Sequence, residues 1–143
     1  MAEPQSFANH AHRPTASVVA LVCTLGAAAA FGYRFLQGDH SVAILGQLAV
    51  VGALLALTYI SRMYIVRLQD RIIRLEMRVR GASILTPEQQ RMLAGLPMNS
   101  VVALRFASDE ELPLLLERAV RERLAPSDVK RAVKTWIPDY DRT

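Results

Sequence analysis

SVAILGQLAVVGALLALTYIS, residues 41–61, is a run of 21 residues without a formal charge. A helix of about 20 such residues crosses the ~30 Å of hydrocarbon in a bilayer, so the stretch reads as a membrane span. A buried helix of a soluble bundle normally keeps a polar side, and this one has none. Upstream, the 19 residues of 15–33, with VVALVCTLGAAAAFGY at their heart, are also uncharged and predict a first span. Its four consecutive alanines favour transfer into lipid less than the leucines and valines of the second span. The preceding MAEPQSFANHAHRP, residues 1–14, is long and weakly charged for the n-region of a signal peptide.

Between the two runs lies RFLQGDH, residues 34–40, too short for a domain and suited to a tight turn between antiparallel spans. Arg34 can reach headgroups along its own stem. Downstream, residues 61–81, SRMYIVRLQDRIIRLEMRVRG, hold six arginines against Asp70 and Glu76, which equals the whole formal net charge of +4. From Ala82 onward nine basic residues balance nine acidic ones. Arginines beside a span stay cytoplasmic, so both termini are expected on the cytoplasmic side. The single cysteine, Cys23, excludes an intramolecular disulfide and a cysteine-rich metal cluster, and reads as packing filler.

In a helix, Ile65, Leu68, Ile72, Leu75 and Val79 fall at alternating intervals of three and four, the a/d seam of a little over two heptads. Arginines flank the seam, and Asp70 with Arg74 forms an i,i+4 pair of opposite charge. No Pro or Gly separates this segment from the second span, so one long helix is expected to leave the bilayer. Three readings stay open, in order of preference. The seam packs on the chain's own C-terminal helices, it joins copies in a short parallel coiled coil, or the basic helix lies on anionic lipid. Nucleic-acid binding is not expected, because no aromatic residues interleave the basic stripe and no reading motif is present. Met63 and Tyr64 sit at the membrane exit, where Tyr commonly anchors.

Inside the spans, Gly26 with Ala30, Ala49 with Ala53 and Gly52 with Ala56 permit close approach of helices. Gln47 is expected to turn its amide toward a helix neighbour as packing glue. Neither span contains Asp, Glu, Lys, Arg or His, which argues against a proton relay or ion-coupled carrier.

The tail opens with GASIL and then Thr86-Pro87-Glu88-Gln89, a capping box with Pro at the first helical position. Gly95 and Pro97 stop that helix. NSVVALRF is expected as a short helix capped by Asn99 or Ser100 and ending before Ser108. Ser108 and Glu111 repeat the capping box, with Asp109, Glu110 and Glu111 favouring the positive end of a helix that runs to about Leu124. Leu112, Leu115, Leu116, Ala119 and Val120 share its broad face. After Ala125-Pro126-Ser127 a last helix is expected to carry Val129, Ala132, Val133 and Trp136 until Pro138 ends it. So thin a core is expected to need the arginine-rich helix, a second chain or the membrane for stability.

No catalytic constellation is present: the chain lacks HExxH, CxxC, a phosphate loop and GxSxG, and Ser108 has no tail histidine to serve as its base. His10 and His12 have only Glu3 as a nearby acid, so no metal site is expected. Helix capping accounts for the acids 109–111.

QSFANHAH, LQDRIIRLE, VVALRFASDEEL and KRAVKTWIPDY together resemble an uncharacterised bacterial family of small two-span membrane proteins, a domain of unknown function. The resemblance covers nearly the whole chain, with RFASDEEL and QDRIIRLE its specific blocks. It implies a cytoplasmic helical tail and places the characteristic polar positions at Asn9, His10, Gln69, Asp70, Arg71, Arg74, Glu76, Arg105, Ser108, Asp109, Glu110, Lys134 and Trp136. This chain departs from the pattern in its IPDYDRT ending and in lacking a basic residue near Ala8. The family brings no reaction, substrate or cofactor with it.

The expectation is thus an all-α membrane protein: a two-helix transmembrane hairpin whose second helix extends into the cytoplasm, followed by a small helical tail domain. The divisions are a cytoplasmic segment 1–14, span 15–35, an extracytoplasmic loop 36–40, span 41–61, basic helix 62–80 and tail 81–143. The expected role is a non-enzymatic, membrane-anchored interaction module of the bacterial inner membrane, an accessory subunit or scaffold without a cofactor. A homo-oligomer held by the heptad helix, or a protein binding anionic lipid, is the alternative. Candidate interaction residues are Arg67, Gln69, Asp70, Arg71, Arg74, Arg78, Arg105, Asp109, Glu110 and Trp136. Neither span supplies a polar lining for a pore.

Overall fold

The computed structural model describes Phe7 and residues 15–139. Among the described residues six helices follow one another: α1 (Thr15–Leu36), α2 (Val42–Ile84), α3 (Pro87–Gly95), α4 (Met98–Leu104), α5 (Leu112–Arg121) and α6 (Pro126–Ala132). Among the described residues there is no strand, and one isolated antiparallel bridge joins Ala107 to Trp136. The chain is all-helical, and α1 and α2 are long and apolar enough to cross a membrane. Two compact units divide it, Arg13–Val66 and Arg67–Thr143, the second joined by Phe7.

In the first unit α1 buries no residue at all, although its span window has a mean hydropathy of 1.8. Ile44 and Val51, two turns apart on α2, are the buried positions here. Thr24 and Thr58 donate their hydroxyls to the carbonyls of Ala20 and Leu54, at 2.7 and 2.8 Å, so each polar side chain is satisfied by its own helix. Between the helices the chain turns at Gly38, whose φ of +94° lies where an L side chain is strained. Ser41 starts α2, its hydroxyl accepting from the Ile44 N–H at 3.3 Å. The Ser41 hydroxyl and N–H hold the Asp39 carboxyl below its ordinary value, and Arg34, 2.6 Å away, acts in the same direction.

The second unit has a core of its own. Ile73 and Met77 from α2, and Leu85 just past its end, meet Leu93, Val101, Leu104, Leu112, Leu116 and Val129 from the four short helices. Full burial of each large aliphatic side chain contributes about 1.5–3 kcal/mol. The basic helix does not stop before Gly81, because α2 runs on to Ile84. Gly81 is buried, and a Cβ there would lie 3.1 Å from Leu85 Cδ1 and 3.5 Å from Leu93 Cδ2. The glycine therefore permits close packing of α3 rather than ending a helix.

Thr86 and Gln89 form the reciprocal capping box at α3. By contrast α4 begins earlier than the Asn99 or Ser100 cap would allow: Pro97 is its N-cap, without a side-chain bond, and Ser100 is buried. Ser108 and Glu111 exchange capping-box hydrogen bonds at 3.2 and 3.4 Å, yet 109–111 form a turn and α5 begins only at Leu112. It ends at Arg121, before Leu124.

The last helix differs most from expectation. α6 ends at Ala132, and Trp136 lies in an extended segment. The backbone there finds other partners: Lys134 and Thr135 donate their N–H groups to the Glu111 carboxylate, and Ile137 donates to the Phe106 carbonyl at 2.8 Å. Trp136 stacks on Phe106, with ring centres 4.4 Å apart and planes at 17°.

Candidate functional site

Two apolar lines run along the part of α2 that belongs to the tail unit. Ile73, Met77 and Gly81 of α2 and Leu85 just past its end, each four residues from the last, are buried against the tail. The seam is not. Leu68 is 58% exposed, Ile72 47%, Leu75 62% and Val79 67%, and Ile65 is 40% exposed. The expectation that the seam packs on the chain's own C-terminal helices is thus corrected: the tail takes a different side of the helix. Adjacent residues on a helix project about 100° apart, so Ile73 turns away from the face that holds Ile72.

The arginines separate in the same way. Arg62, Arg67, Arg71 and Arg78 are exposed, whereas Arg74 and Arg80 are half-buried. Arg74 points a guanidinium nitrogen at Met98 Sδ, 3.7 Å away, and its i,i+4 pair with Asp70 is not formed. Arg80 binds most densely. It donates to Asp109 Oδ1 at 2.6 Å, to the Arg105 carbonyl at 3.1 Å and to the Ala107 carbonyl at 2.6 Å. The planar fork of guanidinium donors suits the carbonyls left open after α4, which a lysine could not reach together.

Of the remaining candidates, several serve the tail itself. Arg105, its side chain only 11% exposed, pairs with Asp139 at 2.5 Å and lies over Phe106, 4.8 Å from the ring centre. Asp109 is held by Arg80, and Trp136 by Phe106. Gln69 and Asp70 are half-buried, and Glu76 and Glu110 are exposed. Asn9 and His10 lie outside the described residues, as does His12. Among the described residues no three His, Cys, Asp or Glu side chains converge as metal ligands. Gln47 is exposed on α2, so within this chain its amide does not turn inward against a neighbouring helix.

Sequence reading missed Arg80, Phe106 and the second role of Glu111, whose carboxylate accepts from the Lys134 and Thr135 amides as well as from Ser108. Arg80 sits two residues past Arg78 and directly before Gly81, a position that differs from the other arginines only once the tail is folded. Phe106 is fully buried and carries stacking from Trp136 and a cation from Lys130, 5.6 Å from its ring centre. A lone aromatic inside RFAS was its only signal. Glu122 is held below its ordinary carboxyl value chiefly by the hydrogen bond from Arg118.

Among the described residues each unit carries a shallow groove. One, in the apolar unit, has Ala16, Ser17 and Leu21 from α1 and Leu55, Tyr59 and Arg62 from α2 among its walls. In the tail unit a second lies among Phe7, Asn99, Val102, Pro126, Ser127 and Lys130, with the Arg131 guanidinium 5.6 Å from the Phe7 ring centre.

A family model described as "Family of unknown function (DUF6526)" matches residues 1–143. No curated protein and no solved structure matches the chain. The chain belongs to DUF6526.

Proposed function

We propose that this member of DUF6526 is a membrane-anchored interaction module of the bacterial inner membrane, an accessory subunit or scaffold without enzymatic chemistry. The observation that carries the reading is the line Leu68, Ile72, Leu75 and Val79. These large apolar side chains stand in the open on a helix whose other side is fully used by its own tail. An apolar stripe that a monomer leaves uncovered marks a contact surface.

Three observations support the anchor. α1 and α2 meet the length and hydropathy of spans, with almost nothing buried along their apolar windows, as expected where lipid is the solvent. The groove shared by the first turns of α1 and the 55–65 stretch of α2 is consistent with a hairpin. Phe7 rests beside Arg131, which favours an N-terminal segment on the same side of the bilayer as the tail, and hence an even number of crossings. The arginines of 62–80 favour the cytoplasm as that side.

The test is fractionation with end labelling. The expected result is a chain retained in the inner-membrane pellet after an alkaline wash, with both termini shielded from an impermeant reagent added outside the cell. A chain released into the aqueous fraction removes the anchor, and labelling of its ends from outside removes the cytoplasmic placement of the termini. Recovery of nothing but free monomer in mild detergent removes the module.

A second reading draws on the four exposed arginines. Arg62, Arg67, Arg71 and Arg78 are available to anionic headgroups, each contributing about 1 kcal/mol near a surface. Replacing all four with glutamine should reduce the anionic lipid that copurifies, and unchanged lipid content would refute the electrostatic part.

A further inference from the structure

We infer that the open line of α2 is a self-complementary seam along which two copies of this chain pair side by side and parallel, an inference that rests on the anchored-module reading. With Ile72 and Val79 at a and Leu68 and Leu75 at d, the open residues are β-branched at a and leucine at d. That is the combination that favours two parallel strands over three or four.

The same lettering puts Ile73 at b, Arg74 at c and Met77 at f, the outward positions of a coiled coil. These are the side chains that the tail binds. The tail therefore leaves Leu68, Ile72, Leu75 and Val79 exposed, together with Arg71 and Arg78 at g and Glu76 at e, and a second helix can approach there without unfolding anything.

Charge then fixes direction. Arg71 stands at g and Glu76 at e, five residues on. In a parallel pair the g side chain of one helix meets the following e side chain of the other, so Arg71 meets Glu76 of the second copy twice, by symmetry. Both residues are exposed, and neither forms an ion pair within the chain among the described residues. An antiparallel pair would instead set g against g, bringing Arg71 and Arg78 against arginines. Copies anchored by the same span enter the cytoplasm in one direction, which gives the parallel arrangement no orientational barrier.

Cross-linking of the full chain in native membranes tests the pairing. In a Cys23→Ser background, single cysteines replace Ile72, Leu75 or, as an off-seam control on α3, Glu88. All three positions are exposed, so folding is expected to persist, and circular dichroism verifies it. Ile72→Cys and Leu75→Cys should give cross-linked dimer about tenfold above Glu88→Cys. Arg71→Glu should lower the yield from Leu75→Cys by about tenfold, and adding Glu76→Arg should restore it.

Seam-specific dimer with charge-swap rescue supports the pair. Equal yield at all positions, or no rescue by the swap, overturns it. A membrane-bound chain with no seam-specific dimer also overturns it while leaving the anchored reading intact. Seam-specific dimer from a chain in the aqueous fraction supports the pair and ends the anchored reading.

Discussion

Along the last stretch of α2 and just past its end, Ile73, Met77 and Leu85 are almost inaccessible, while Leu68, Ile72, Leu75 and Val79 are left open. The two lines share a helix and a composition, and each alone would satisfy a pattern search for a core-facing stripe. What separates them is what packs nearby. The tail meets the line that contains Gly81, where a missing side chain leaves room for Leu85 and Leu93, and a Cβ would require the Leu85 side chain to shift by a few tenths of an ångström. Apolar character thus tells that a surface is to be covered, and the small residue tells by which neighbour.

The sharpest way to break this comparison is to truncate one residue from each line. Met77→Ala should destabilise the tail by about 2–5 kcal/mol, whereas Leu75→Ala should change the stability of the isolated protomer by less than about 0.5 kcal/mol. Thermal unfolding in dilute detergent, where any pairing is dissociated, reads both. Equal losses would show that the seam is part of the core after all.

Next in size is Arg80, which fastens the buried line to the tail through backbone carbonyls. Arg80→Met should cost about 1.5–3 kcal/mol through its charge-assisted hydrogen bonds. The arm to Asp109 contributes little of this, since that carboxylate is well exposed and its charge is screened. Asp109→Asn should accordingly be mild, and a large loss there would shift the weight from the carbonyls to the ion pair.

Filling Gly81 tests the close approach itself. Gly81→Leu should cost about 1–3 kcal/mol through overpacking against Leu85 and Leu93, and Gly81→Leu with Leu93→Ala should recover part of it. Hydrogen exchange of the α3 amides would locate the effect. A smaller effect, about 1 kcal/mol, is expected for Thr86→Ala, which removes the α3 cap without touching either line.

The weakest effect lies outside both lines, in the 37–41 turn. Asp39 has its folded pKa depressed, by Ser41 first and Arg34 after it. The ionised carboxylate therefore supports the turn above its unfolded pKa, and that support is lost as pH falls through the depressed folded value. Protection of the Ser41 amide against hydrogen exchange, relative to its intrinsic rate, should fall across that acid window and not in Asp39→Asn, and a transition near neutrality would contradict the assignment.

The capping boxes were legible because they are local. Thr86 with Gln89, and Ser108 with Glu111, are three residues apart, and their hydrogen bonds need no other part of the chain. Trp136 was misread for the opposite reason. Its spacing from Val129, Ala132 and Val133 fits a helix, but Phe106 and Glu111, far back in sequence, offer its segment a stacking partner and a carboxylate that a helix would forgo. The candidates Arg105 and Asp109 were visible as charged residues, while their engagement by Asp139 and Arg80 was not.

Sequence by itself determined that this chain is helical, that two of its helices are as long and oily as membrane spans, and that a basic amphipathic segment follows them. Composition and periodicity are properties of neighbours along the chain, and they need no partner to be read. Only the tertiary structure decided which apolar line of α2 the tail would cover and which it would leave open, and which arginines would turn inward. That choice depends on where Gly81, Leu93 and the carbonyls after α4 come together, and contacts between residues distant in sequence arise only when the chain has packed.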